Sequence, residues 1–410
     1  MRQLVKHTLI LSASNVITRF MGMVFFVILA RALTVSEYGL FRYLLTLSTI
    51  YALVFTGVPT ALTKFLGDRA VDPHSKKEYL DNSLFLMLVL YAASAVIIMV
   101  FSRNPLLLLL FTFALLVDQT YVGFTRGILN YLKLNGFKLV ENSIKILILV
   151  IAYIILRRVD ITFSVAFYSL SSLASALIFE AIKPEFQISL NFSWSRIKEL
   201  LRYAVPVTLG SIGWTLLFGI SSVYIERFHG TEQLGYFSVG LTVMQVFSFF
   251  PDATYTILLP KVAGLKDKST LIRPLRLAAL GCLLISILIS LPLLLFKNFI
   301  LNFIFSEKYL PAAVVLAPLT ISQIFLVVQQ VYTTAWQGLG KPGISSIIIS
   351  IAAGINIILG YSLTKSHGIV GAAFSLAIAS FVSLLIVTLI WNRWVNKGGL
   401  EAANVNEQEA

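Results

Sequence analysis

Long apolar runs separated by short polar breaks recur along the whole chain. A hydrocarbon core of roughly 30 Å takes about 20 apolar helical residues per crossing. On that measure twelve spans are predicted, at 9–30, 40–62, 82–101, 106–125, 139–156, 163–182, 201–225, 234–259, 277–296, 310–336, 344–364 and 369–394. The runs are continuous in Leu, Ile, Val and Phe, too long and too regular for barrel strands. Residues 298–305 form a candidate short or re-entrant piece. Asn15 and Arg19 interrupt the first run, so it does not read as a cleaved signal peptide.

Composition agrees with that pattern. Of 410 residues, 58% are hydrophobic and 12% charged, with a mean hydropathy of +0.87. A soluble domain carries roughly a quarter charged residues, so the bilayer is the expected solvent. Twelve spans place 22 Lys and Arg on the side of the two termini and 8 on the other, with Arg19 and Arg42 in or just inside spans. The 22 include Lys133, Lys138 and Lys145. By the positive-inside rule both termini are cytoplasmic, and the net charge of +13 reflects topology and attraction to anionic headgroups without a nucleic-acid partner. Cys282 stands alone and the four histidines are scattered, which gives no disulfide framework and no metal-ligand spacing. No nucleophile elbow, phosphate-binding glycine loop or paired catalytic carboxylates are present, so the chain does not read as an enzyme.

An internal repeat organises the spans. A shift of 196 residues lays Arg31 on Arg227, Gly39 on Gly235, Phe41 on Phe237 and Thr46 on Thr242, matching RALTVSEYGLF with RFHGTEQLGYF. Each half holds six spans, so both copies start on the same side, related by an axis along the membrane normal. Polar residues recur at helical spacing on one face: Thr208, Ser211, Thr215, Gly219, Ser222 and Glu226 in the seventh span, then Ser238, Thr242, Gln245, Asp252 and Thr256 in the eighth. The first half shows Ser12, Asn15 and Arg19, then Arg42, Thr46, Thr49 and Thr56. Hydroxyls of this kind also serve as plain helix–helix glue. Charges are more telling, because one at the bilayer centre costs roughly 2.5–3.5 kcal/mol on insertion scales. Arg19 and Asp252 are deep, whereas Arg42, Asp118, Glu141, Glu180 and Glu226 lie nearer span ends and can snorkel. Arg19, with Asn15 one turn away, reads as facing a hydrated cavity. The alternative is a structural salt bridge, for instance with Asp118.

The expected organisation is an N-terminal six-helix lobe (1–182), a basic cytoplasmic linker (183–199), a C-terminal six-helix lobe (200–395) and a polar tail (396–410). Three stretches resemble a known family: residues 15–41 (NVITRFMGMVFFVILARALTVSEYGLF), 200–206 (LLRYAVP) and 337–373 (QGLGKPGISSIIISIAAGINIILGYSLTKSHGIVGAA). They resemble the Wzx-like polysaccharide-flippase branch of the multidrug/oligosaccharidyl-lipid/polysaccharide exporter superfamily. The resemblance implies an all-α polytopic membrane protein, with two pseudo-symmetric lobes alternating around a central cavity of the cytoplasmic membrane. Its implied substrate is a polyprenyl-pyrophosphate-linked oligosaccharide for surface glycan synthesis. On this reading Arg19, Arg42, Asn15 and Arg126 bind substrate. Asp252, Glu226 and Gln245 hold a coupling Na+ or H+, and Thr46, Thr49, Thr208, Ser211, Thr215, Ser222 and Thr242 line the cavity. Membrane lipids, and a glycan polymerase or glycosyltransferases, are the expected partners. A basic first lobe suits a pyrophosphate better than a cationic drug. Two other classes stay open: a drug/cation antiporter using Glu226 and Asp252, and a non-transporting scaffold for glycan-assembly enzymes.

Overall fold

The computed structural model describes residues 2–68, 71–156, 159–182, 184–185, 192–249, 258–259, 261–262, 265 and 268–397. They are almost wholly helical, with no strand among the described residues. The helices are α1 (Arg2–Ala32), α2 (Val35–Tyr51), α3 (Gly57–Gly67), α4 (Pro73–Phe101), α5 (Pro105–Gly127), α6 (Tyr131–Ile151), α7 (Ile161–Ile182), α8 (Trp194–Met244), α9 (Ile272–Leu295), α10 (Ala313–Gly338) and α11 (Pro342–Asn396). Eight segments are long and apolar enough to cross a bilayer by length and composition. Two of these, in α8 and α11, are each broken by a glycine outside helical geometry, and α1 and α6 are of spanning length too. The described residues thus place helical segments at all twelve predicted spans. A short helix at Lys297–Ile300 and a π turn at Leu301–Phe305 occupy the predicted short piece.

Local chemistry sets the ends. Thr34 and Glu37 form a reciprocal capping box that starts α2. Asp72 caps α4 by accepting from the Ser75 N–H, ahead of Pro73 in the first turn. Asn130 does the same for α6 through the Lys133 N–H.

Two compact units divide the chain, Met1–Thr215 and Leu216–Ala410. In the first, the second predicted span is split: α2 gives way to a 3-10 turn at Ala52–Phe55 before α3 resumes. At that break Gly57 lies against the Ala204 carbonyl so closely that a Cβ would collide, and its N–H donates to Thr208 Oγ1 at 3.1 Å. Phe55, Leu62, Leu80 and Leu200 bury completely or nearly so around this crossing. At the head of α8, Arg196 donates to Glu78 (2.9 Å) and Ser75 (2.7 Å), while Phe65 stacks on Tyr79 at 4.4 Å.

In the second unit the chain leaves helical geometry at Gly230 (φ 82°) and Gly368 (φ 58°), conformations that suit a residue without a Cβ. His229 Nε2 meets the Thr364 carbonyl at 2.7 Å, beside Gly368. Asn356 ties the unit's interior together, donating to the Leu217 carbonyl and accepting from Ser375.

The repeat is legible in this geometry. Gly230 falls 196 residues after Thr34, so both copies turn a corner at the same place. A Cβ on Gly127 would press on Thr63 and Leu66; one on Gly338 would press on Leu259 and Val262, the same two positions shifted by 196. From α5 onward the offset becomes 211, because Gly127 matches Gly338 and the positive-φ residues Leu129 (57°) and Gly340 (73°) follow two positions later in both copies.

Candidate functional site

The main concentration of buried charge described lies inside the first unit, on α5, α6 and α7. Lys138, Glu141 and Lys145 share one face of α6 by their spacing of three and four. Glu141 accepts from Lys145 Nζ at 2.6 Å, Lys138 Nζ at 3.0 Å and Ser172 Oγ at 2.5 Å. Lys138 reaches across to Asp118 Oδ1 of α5 at 2.5 Å. Lys145 sits 3.9 Å from the centre of the Tyr168 ring, whose π face adds a further favourable contact for its ammonium. Two cations and two carboxylates therefore neutralise one another, with Glu141 and Lys145 buried and Lys138 and Asp118 half-buried. Desolvating them costs several kcal/mol per ion, which mutual attraction repays only when the hydrogen bonding is this complete.

Arg42 joins the same region through aromatic rings. Its guanidinium lies 4.5 Å over Phe26, and Phe26, Phe25 and Tyr168 follow in edge or tilted contact. Arg19 is exposed on α1, and the residue before it, Thr18, offers its carbonyl to Asn142 of α6 at 3.3 Å. Asn142 is one residue beyond Glu141, so α1 packs against α6 at the level of the charged cluster.

A shift by the offsets found above shows what the second copy keeps. Arg19 and Arg42 correspond to Thr215 and Ser238. Asp118, Lys138, Glu141 and Lys145 correspond to Gln329, Ile349, Ala352 and Asn356. Every charge of the first layer is neutral in the second. Gln329 is 1% exposed, and among the described residues neither end of its amide has a partner.

The other predicted residues spread widely. Arg126 is exposed in the last turn of α5, about 12 Å along the helix from Asp118 at 1.5 Å per residue. The side chain of Asn15 and all of Asp252 lie outside the described residues. Thr46 is half-buried and Thr49 exposed, with its hydroxyl turned to the Leu45 carbonyl. Thr208, Ser211 and Thr215 are half-buried in the first unit. Thr208 is engaged by Gly57, and Ser211 donates to its own helix at Val207. In the second unit Ser222 and Thr242 are buried, the latter donating to the Ser238 carbonyl, whereas Glu226 and Gln245 are half-buried.

Two readings from sequence are corrected. Lys133, Lys138 and Lys145, all on α6, do not behave as loop charges: Lys133 is held by Glu180 of α7 at 2.7 Å, Lys138 by Asp118 of α5 and by Glu141, and Lys145 by Glu141. The charge asymmetry survives their removal. Asp118 pairs with Lys138. The Lys138–Glu141–Lys145 spacing was the available signal for this cluster, masked because each residue alone lay near a span end. A cavity of about 290 Å³ also opens between α4, α5 and α7, apolar except for Thr120 and for Tyr121 and Glu180, which bond to each other.

Comparison with known proteins agrees with the architecture. Residues 4–265 match the family model described as polysaccharide biosynthesis protein, and residues 206–362 match the MatE model. The chain is 26% identical to an uncharacterised membrane protein of Methanocaldococcus jannaschii, over 93% of this chain and 96% of that one. It is 23% identical to the capsular polysaccharide biosynthesis protein CapF of Staphylococcus aureus, over 95% and 100%. A Shigella flexneri protein named for O-antigen transport is 22% identical over 66% and 75%. Among solved structures, the lipid II flippase MurJ in an inward closed conformation superposes with a TM-score of 0.78 at 15% identity, covering 94% of this chain and 87% of that one. An inward-facing multidrug resistance MATE family transporter of the MOP superfamily gives 0.72 at 16%, covering 94% and 96%. These structures show the fold. The family model spans well over half of the sequence, so this multi-pass membrane chain belongs to the polysaccharide biosynthesis protein family.

Proposed function

We propose that the protein moves a polyprenyl-pyrophosphate-linked oligosaccharide across the cytoplasmic membrane by alternating access, with both termini cytoplasmic. The observation that carries this reading is the first unit's cluster of Lys138 and Lys145 with Asp118 and Glu141 on α5 and α6, to which Arg42 is linked through Phe26, Phe25 and Tyr168. Cationic groups at low dielectric attract an anionic headgroup and repel a cationic drug. The fold of MurJ, a lipid II flippase, and the similarity to a protein named for O-antigen transport support it. Arg19 supplies a planar fork for phosphate oxygens that lysine cannot copy. Na+ or H+ drives the cycle through Glu226 and Gln245, together with Asp252, and a glycan polymerase or glycosyltransferases supply or consume the saccharide.

Complementation of a flippase-deficient strain tests this, with membrane protein level measured in parallel. Arg19→Ala abolishes growth rescue and Arg19→Lys leaves it weak. Full rescue by Arg19→Ala removes Arg19 from the site. Failure of the wild type to rescue, together with lowered drug accumulation in the same cells, favours the antiporter reading that the MatE match keeps in view.

A further inference from the structure

Lys138 stands at the open end of the charged layer. Its side chain keeps 27% of its surface exposed and that of Asp118 19%, against 7% for Lys145 and 5% for Glu141. The two carboxylates that hold Lys138 differ in kind. Glu141 lies on the same helix and also serves Lys145 and Ser172, so moving it strips three donors. Asp118 comes from α5, and among the described residues Lys138 is its one hydrogen-bonding partner. Asp118 is therefore the acid that can let go.

The second copy shows that packing does not require this pair. Gln329 and Ile349 occupy the equivalent positions, on either side of the same glycine contact and positive-φ corner. A buried ion pair is no more stabilising than well-packed neutral side chains of similar volume, and often less. A pair present in one copy and absent from the other is best explained by a ligand.

We infer that Lys138 is a phosphoryl-anion site with Asp118 as its resident counter-ion. An incoming phosphate oxygen takes the ammonium over from the Asp118 carboxylate, while Glu141 keeps Lys138 and Lys145 in register. A phosphate brings more charge and more acceptor oxygens than the carboxylate it displaces. Asn142, one turn beyond Lys138 on α6, donates to the Thr18 carbonyl, so α1 packs beside this face. This inference rests on the pyrophosphate-linked substrate proposed above and adds the group that competes with it.

The test is calorimetric titration of the full chain in lipid nanodiscs with inorganic pyrophosphate and with farnesyl pyrophosphate. Lys138→Gln weakens binding at least tenfold. Asp118→Asn strengthens it severalfold, because the competitor is gone. A merely structural pair moves both variants in the same direction, so unchanged or weaker binding by Asp118→Asn overturns the inference. If Lys138→Gln does not fold, the double variant Asp118→Gln/Lys138→Ile reproduces the second copy's residues. It unfolds thermally like the wild type yet binds neither probe, and wild-type binding by it overturns the assignment. A wild type that binds neither pyrophosphate overturns both this site and the pyrophosphate-linked reading. A wild type that binds, with variants that fail these signs, overturns the Lys138 assignment alone.

Discussion

Glu141→Ala isolates the energetics of the charged layer. The wild-type carboxylate is 5% exposed and accepts from Lys145, Lys138 and Ser172 at 2.5–3.0 Å. Truncation leaves Lys138 with Asp118 but strands Lys145, 7% exposed, with the Tyr168 ring as its remaining contact. Removing one partner of a buried pair costs about 3–5 kcal/mol. The lysine stem recovers part of that by bending toward a wetter level, so the expected loss is about 3 kcal/mol. The second copy indicates the remedy, since Ala352 and Asn356 fill these positions. Glu141→Ala/Lys145→Asn therefore recovers to within about 1 kcal/mol of the wild type, because no ammonium is left stranded. Unfolding free energies in mixed micelles titrated with a denaturing detergent measure all three proteins. A Glu141→Ala loss below about 1 kcal/mol, or a double variant no more stable than the single, refutes the reasoning.

Other expectations follow from the same packing. Gly57→Ala drives a Cβ into the Ala204 carbonyl and Thr208, costing about 1–3 kcal/mol as overpacking; wild-type thermal unfolding of this variant contradicts the close approach. Arg196→Gln loses its bonds to Glu78 and Ser75 on a partly exposed surface, worth about 1 kcal/mol, and that difference shrinks in high salt. A salt-independent loss points to packing instead. Gln329→Leu stabilises by about 1 kcal/mol, since it removes a buried amide with no partner. A loss of stability shows that the amide is engaged.

Much of the fold was written locally. Thr34 and Glu37 announce a helix start by their spacing, and the apolar runs announce spans by their length, because both depend only on residues within a few turns. The match of residues 31–41 to 227–237 was enough to find the repeat. It could not reveal that the offset grows to 211 after α3, since the equivalence of Gly127 with Gly338 rests on what each glycine touches. Arg19 and Arg42 stood out because they interrupt apolar runs. Lys138 and Lys145 count among the charges on the side of the termini because hydropathy cannot tell a lysine that reaches water from one that reaches a carboxylate.

By itself the sequence determined the solvent, the number of spans and the two-fold repeat, which follow from hydropathy and periodicity summed over about 20 residues at a time. The tertiary structure decided which charges meet. Asp118 and Lys138 are 20 residues apart on different helices, and Ser172 on a third donates to Glu141, which also holds Lys138. Pairing of that kind depends on helix rotation and depth, which are set by contacts such as Gly127 on Leu66 rather than by any local property of the charged residues. The structure also showed that only the first copy keeps the charges, because equivalence between copies is fixed by shared backbone corners while the side chains have diverged.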